Sequence, residues 1–567
     1  MASERPRELL LVVGRVETMA PAADGRPADA ILVRDGRIAA VGWGADLRRQ
    51  AAGGVEVVDL PGTTVLPGIN DSHVHVASWG ATRPPLALDV SPRAVGSIAD
   101  IAQAVRAAAH RAPVDEWIRG SGWHLASLAE CVSGERRSPT RQDLDAVAPD
   151  HPVALADFSQ HALWVNSRAL AIAGVDASTE TPAGGDIPRD EHGEPIGILS
   201  EFSAQRLVAR HMPTFTRQER KAAIREATAE LHRLGITSVT DPALGPGGGD
   251  GILGTETLRA YEELLFDGEL KLRVNVLLLF GAEGSGTADD VARGLREVRV
   301  DSGDERWLRD AGMKIFADGI PPLYTSWLRE PYAGDERKGS LVIPGGDDEE
   351  RVAELFEMVR LGHAAGRQVG IHATGDQAID AVVDAFVSAQ QRHPRDDPRH
   401  YVIHGDLASA ATLRAMARHG VGLNVQPQIK IGAAELMAGL LGEERAAYQW
   451  PNRLALDTGV WVAFSSDAPV CWPDWREGVA GAVLRRSLAT GAVAGPEQRI
   501  TVREALHAYT VGGAYQDFGE HFKGTIEPGR VADLCVLEAD LLEVDPEDIP
   551  AIEVAATFVE GEAVFTK

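Results

Sequence analysis

Apolar and polar positions along the chain follow two rhythms. Near each end they alternate with a period of two, the sign of strands that bury one face. Residues 8–60 read as LLLVVGRV, then ADAILVRDGRIAAVGW around an Asp35-Gly36 hairpin turn, then GVEVVDLPG. The C-terminal stretch repeats this style in GTIEPGRVADLCVLEAD and VAATFVEGEAVFTK, where Glu560-Gly561 marks another tight turn. Two strand-rich ends around one long middle predict that the ends pair into a single side domain.

In the middle, short apolar runs alternate with helical patterns, as repeated βα units do. The runs are TTVLPGINDSHVHV, GITSVTDPA, LKLRVNVLLLF, AGMKIFADG, RQVGIHATGD, HYVIHGD, GVGLNVQPQ and GVWVAFSSDAP. Eight in series predict an α/β fold whose body is a (β/α)8 TIM-like barrel, with catalytic groups at the C-terminal ends of its strands. The helix DDEERVAELFEMVRLGHAAG has an acidic first turn and stops at Gly366. The gap from about Trp79 to Leu234 is too long for one connection and holds an inserted lobe, with the strand-like HPVALADF and the segment QHALWVNSRAL. The expected organisation is a β-sandwich from residues 1–62 and 516–567, and a barrel over 63–515 with its lobe at about 80–234.

Charge narrows the partners. Lys+Arg 56 against Asp+Glu 83 leaves a net charge of −27, which nucleic acid and anionic membranes repel. Apolar residues at 44% and charged residues at 25% are globular proportions, against disorder, collagen or coiled coil. Cys131, Cys471 and Cys535 are too few for a disulfide framework, and no apolar run has the length of a signal peptide core or a membrane span. A small-molecule substrate and a cytoplasmic location are the expectations.

Several residues in the barrel pattern could carry chemistry. His73 and His75 are two apart on an expected strand, so both side chains leave one face and can converge on a metal ion; an ordinary polar pair at a strand end is the alternative. Lys314 sits inside the apolar strand GMKIFADG, where a charged ammonium is costly unless paired. Either it pairs with Asp318 or a neighbouring strand, or a depressed pKa lets the neutral amine take up CO₂ as a carbamate. His372 and His404 each close an apolar run. Asp467 follows another, as a cation's partner or as a turn former before Pro469, while Asp376 reads as the N-cap of its helix. The order changes the odds: strand one supplies His73 and His75, strand four Lys314, strand five His372, strand six His404 and strand eight Asp467.

With these motifs the chain resembles the metal-dependent amidohydrolase superfamily, and within it the YtcJ-like branch that includes the N-substituted formamide deformylases. The resemblance runs through PGINDSHVH, HPVALADFSQHALWVNSRAL, GITSV, MKIFADG, VGIHATGDQAID, FSSDAPV, TVREALHAYT and GTIEPGRVADLCVLEAD. It implies the barrel-plus-sandwich fold and a divalent metal site, usually zinc, on His73, His75, Lys314, His372, His404 and Asp467. The two-ion form has one ion on His73, His75 and Asp467, another on His372 and His404, and carboxylated Lys314 between them; with an unmodified lysine, one ion is expected. A water activated there attacks the carbonyl carbon, and Asp467 passes its proton to the leaving amine. Ile403 stands where the family often has Glu, and Ser465-Ser466 where Gly-Ser is commoner.

The same resemblance marks His161, Trp164 and Asn166 as a patch in the lobe, His161 facing the substrate or capping a turn, Trp164 beside it or in the lobe core. Trp79, Trp123, Tyr324 and Trp327 are candidates for an apolar pocket wall, or simple packing. A homodimer is expected by resemblance. The implied activity is hydrolysis of a non-peptide C–N bond in a small hydrophobic amide such as an N-substituted formamide. Alternatives are a carbamate, urea or cyclic-amide hydrolase, or a regulatory metal-binding protein without turnover; a retained proton shuttle at Asp467 favours the enzyme.

Overall fold

A computed structural model describes residues 8–20, 28–133, 136–158, 160, 162–182, 185–282 and 284–567. Two compact units divide the chain: Met1–His75 with Thr228–Lys567, and Val76–Ala227.

The first unit holds eight parallel strands that follow one another in chain order. They are β1 (Ile69–Asp71), β2 (Ile236–Leu244), β3 (Arg273–Leu278), β4 (Leu308–Phe316), β5 (Gln368–Ala373), β6 (Tyr401–His404), β7 (Gly422–Val425) and β8 (Val462–Phe464). Burial on both faces explains their composition: β3 reads RVNVLL and is buried throughout, as a strand between barrel interior and outer helices must be.

The seam between β8 and β1 is closed by individual bonds just past the strand ends. Ser72 donates to Phe464 O from its N–H (3.4 Å) and its hydroxyl (2.6 Å). Ser466 donates its N–H (3.0 Å) and hydroxyl (2.5 Å) to the Asp71 carboxylate, and Asp467 N–H donates to His73 O at 2.9 Å.

The first barrel strand is shorter than its sequence suggests. Glu56–Pro67 is one long strand of the terminal sheet, in parallel register with Glu8–Val16, which leaves only Ile69–Asp71 to the barrel. His73 and His75 therefore lie in the turn beyond β1 rather than on a strand.

The sandwich from both chain ends is hydrogen-bonded as a seven-stranded sheet. Its order is Glu562–Thr566, Val554–Val559, Leu534–Leu537, Glu56–Pro67, Glu8–Val16, Ala30–Arg34 and Arg37–Gly42. At the hairpin edge it folds back on itself: Ile38 N–H donates to Arg530 O (2.9 Å) and Ala532 N–H to Gly36 O (2.8 Å). Leu9, Leu11, Ile31, Val33, Leu534 and Phe558 share one core between the layers. Asp35 and Gly36 both have positive φ (47° and 76°), as the predicted two-residue turn requires.

The second unit has a five-stranded sheet of Leu88–Asp89, Ile118–Trp123, Val153–Asp157, Ala162–Val165 and Ile198–Ser200, in that order. Trp123, a candidate for the pocket wall, and Trp164, of the lobe patch, are core residues of this unit. Both are buried in one cluster, with rings 6.1 Å apart. Their indole N–H groups donate to Leu155 O (2.8 Å) and Thr140 O (2.9 Å), so ring and polar tip are both engaged within the lobe. Asn166 caps the helix Ser167–Ala173 by accepting Ala169 N–H. Trp79 is buried in the helix Val76–Ala81, with the Arg83 guanidinium 5.0 Å from its ring centre. His161 lies outside the described residues. Among the described residues, no helix is long and apolar enough to cross a membrane.

Candidate metal centre

The turn after β1 is held by Val74 N–H donating to Thr240 O (3.0 Å) and His75 N–H to Ala468 O (2.9 Å). It sets the His73 and His75 rings 5.3 Å apart and perpendicular. Their Nε2 atoms lie 3.3 and 3.5 Å from Asp467 Oδ1. One ligand atom from each of His73, His75 and Asp467 falls within 4.8 Å of the other two.

On the adjoining strands, the rings of His372 and His404 are 4.5 Å apart, and that of His404 is 5.9 Å from His73. Lys314 extends from β4 with Nζ 4.7 Å from the Phe316 ring centre, close enough for its charge to act on His73, His372 and His404. The backbone is unusual at two of these residues: His404 and Asp467 have φ of 72° and 60°, a region that non-glycine residues enter at a cost. Gly405 follows with φ 61°, and a Cβ there would stand 2.2 Å from Leu423 Cδ1, so glycine is favoured beside His404.

Residues 56–565 match the model of the amidohydrolase family. The chain belongs to that family. It is 29% identical over 559 residues to an N-substituted formamide deformylase of Arthrobacter pascens, covering 98% of each chain. It is 29% identical to the putative amidohydrolase YtcJ of Bacillus subtilis, covering 96% of this chain and 97% of that one. Among solved structures, an uncharacterized metal-dependent hydrolase from Pyrococcus furiosus superposes with a TM-score of 0.72 at 25% identity, over 94% of this chain and 100% of that one. Family and fold make this amidohydrolase a metal-dependent hydrolase of C–N bonds.

The donors of the centre have the protonation that a cation needs. Burial, reinforced by Lys314, pushes the imidazoles of His73 and His372 down to about 3 and about 4. Burial, with His372 nearby, takes His404 well below the usual range. Burial alone would raise Asp467, but hydrogen bonding from His73, with help from His75, holds its carboxyl well below ordinary values. The result is a set of neutral imidazoles beside one ionised carboxylate, a nitrogen and oxygen donor set that fits a zinc-like divalent ion. His372 Nε2 lies 3.0 Å from Gly319 O, so that nitrogen carries the hydrogen and Nδ1 keeps its lone pair.

Other expected residues of this amidohydrolase divide between support and packing. Asp318 accepts N–H bonds from Trp327 (2.9 Å), Thr374 (3.0 Å) and Gly375 (2.9 Å), tying together the loops after β4 and β5. Tyr324 is half-buried, with Tyr332 4.9 Å from its ring and the Arg337 guanidinium 3.6 Å above it, so much of the ring is already covered. Asp376, expected as an N-cap, is the first residue inside the helix Asp376–Arg392, and Gly375 takes the cap position. Its carboxylate instead accepts Arg329 N–H at 3.0 Å.

Two supporting side chains escaped the sequence. Asp71 clamps the seam between β1 and β8, and its signal was a carboxylate two residues before His73. Gln426 has Oε1 2.7 Å from His404 Nδ1. Its only signal was Asn424 and Gln426 alternating along an otherwise apolar β7 run.

Proposed function

We propose that this amidohydrolase hydrolyses the C–N bond of a small apolar amide, with N-substituted formamides the first class to test, at a divalent metal centre. The observation that carries the reading is the convergence of His73, His75 and ionised Asp467 within 4.8 Å, beside the neutral pair His372 and His404. In this reading His73, His75 and Asp467 hold one ion, with zinc the best match to the donors. Lys314, in its carbamate form, joins His372 and His404 to hold a second. Bound there, a divalent ion supplies Lewis-acid polarisation and brings the pKa of a water towards neutrality.

The protein's own groups account for the proton. Asp467, ionised before the reaction, accepts the proton of the attacking water as the new C–O bond forms. It returns the proton to the nitrogen as the C–N bond breaks, which leaves a carboxylic acid and an amine.

The test is the Asp467→Asn protein, assayed against formamides, acetamides and carbamates with its metal content measured in parallel. Turnover is expected to fall by about 10²–10⁴. Unchanged turnover with metal still bound refutes the role of Asp467, and activity confined to carbamates replaces the proposed substrate class.

A further inference from the structure

We infer that Asn424, Gln426 and Ser465 form a positioning relay that fixes which ring nitrogen of His404 is offered to the metal. This rests on the reading of His404 as a ligand. All three relay side chains are fully buried, so every polar atom must find a partner inside the protein.

The relay starts from a group that can only accept, the main-chain carbonyl of Ser72. It receives Nδ2 of Asn424 at 3.1 Å and Nε2 of Gln516 at 2.9 Å. With its nitrogen committed there, Gln516 turns Oε1 towards Asn424 Nδ2, at 2.8 Å. Both hydrogens of the Asn424 amide are then used, and its Oδ1 accepts from Gln426 Nε2 and Ser465 Oγ, each at 2.8 Å. Gln426 Nε2 also donates to Ser465 Oγ at 2.9 Å, so the Gln426 amide nitrogen is spent as well. What remains is Gln426 Oε1, 2.7 Å from His404 Nδ1.

A carbonyl oxygen cannot donate, so Nδ1 must carry the hydrogen. An imidazole that binds a metal is neutral and has only one such hydrogen, which leaves the lone pair on Nε2. Flipping the Gln426 amide would bring two acceptors together at Asn424 Oδ1. The opposite tautomer would aim a proton at the cation. Asn424 is not itself a ligand candidate, yet it decides the ligand atom of His404, and through Ser72 O it is tied to the residue next to His73.

The experiment compares zinc affinity, by chelator competition, in the wild type and in His404→Ala, Gln426→Met, Asn424→Leu and Gln426→Glu, with circular dichroism as the folding check. Loss of an outer partner of a metal-bound histidine is expected to weaken affinity about 10–100-fold in Gln426→Met and Asn424→Leu. Gln426→Glu keeps an acceptor for Nδ1–H but sets a carboxylate oxygen against Asn424 Oδ1, so it is expected to recover only part of that loss. If His404→Ala binds zinc as the wild type does, the reading of His404 as a ligand fails. If His404→Ala loses affinity while Gln426→Met and Asn424→Leu do not, the relay is overturned. A measurement without relay variants decides the same point: in metal-free protein labelled with ¹⁵N-histidine, the His404 signals, identified by their absence in His404→Ala, are expected to show the Nδ1–H tautomer. The Nε2–H pattern overturns the inference.

Discussion

His232 gives a pH dependence that the metal centre does not complicate. It lies in the last turn of the helix Arg217–Arg233 and is 4% exposed. Its Nε2 bonds Lys271 O at 3.1 Å, and its own carbonyl accepts the Thr557 hydroxyl at 2.6 Å. It therefore sits where the start of β3 and the terminal sheet are joined. Burial pushes the imidazole down to about 4, and the bond to Lys271 O opposes that only in part. The folded pKa lies below the unfolded value of about 6.5, so the unfolded chain takes up the proton first. The stabilisation is complete above about pH 6.5 and drains away as the pH falls towards about 4. Linkage puts the loss at ~1.4 kcal/mol by about pH 5.5 and ~2.6 kcal/mol by about pH 4.5. His232→Gln keeps an N–H for Lys271 O and cannot titrate. Urea unfolding of both proteins, followed by circular dichroism from about pH 8 to about pH 4.5, is expected to show the wild type losing ~2.6 kcal/mol relative to the variant. A difference between them that stays constant across the range would refute the assignment.

Two further outcomes concern the frame and the metal. Arg273, buried at the start of β3, makes two bonds to Asp533 (2.6 and 3.1 Å) and one to Glu560 (3.1 Å). Arg273→Met strands a buried carboxylate and is expected to cost about 3–5 kcal/mol in urea titration. Arg273→Lys should recover only part of that, because a single ammonium cannot reproduce the two-pronged contact. Removing metal with a chelator is expected to abolish turnover and lower Tm reversibly, with ~2.7 kcal/mol of stabilisation at a metal concentration near 100 times Kd. An identical Tm with and without metal speaks against the centre.

The readable part of the protein was set by local periodicity. Each barrel strand appeared as a short apolar run because a strand covered on both faces has no room for polar alternation. A histidine, lysine or aspartate at the end of such a run stands out for the same reason. His372 and His404 were found this way, and so was Lys314. The lobe was read less well. For Trp123 the residues leave pocket wall and packing open, and for Trp164 a place beside His161 or in the lobe core; the carbonyls of Leu155 and Thr140, which accept their N–H groups, engage both within the lobe. His73 and His75 were placed on a strand because the alternating pattern continues past Pro67. The chain spends that pattern on the terminal sheet instead, and the two histidines converge through the bonds of a turn.

By itself the sequence determined the architecture and the kinds of group at the centre: a barrel from eight runs, a sheet from both ends, and histidines with one carboxylate in a fixed order of strands. These follow from periods of two and of about 3.6, which act between near neighbours in the chain. Tertiary structure alone decided how the barrel closes, through Asp71 and Ser466, and which nitrogen His404 presents, through Gln426, Asn424 and the Ser72 carbonyl. Period settles which face a side chain occupies. Its hydrogen-bond partner is settled only when strands hundreds of residues apart come side by side.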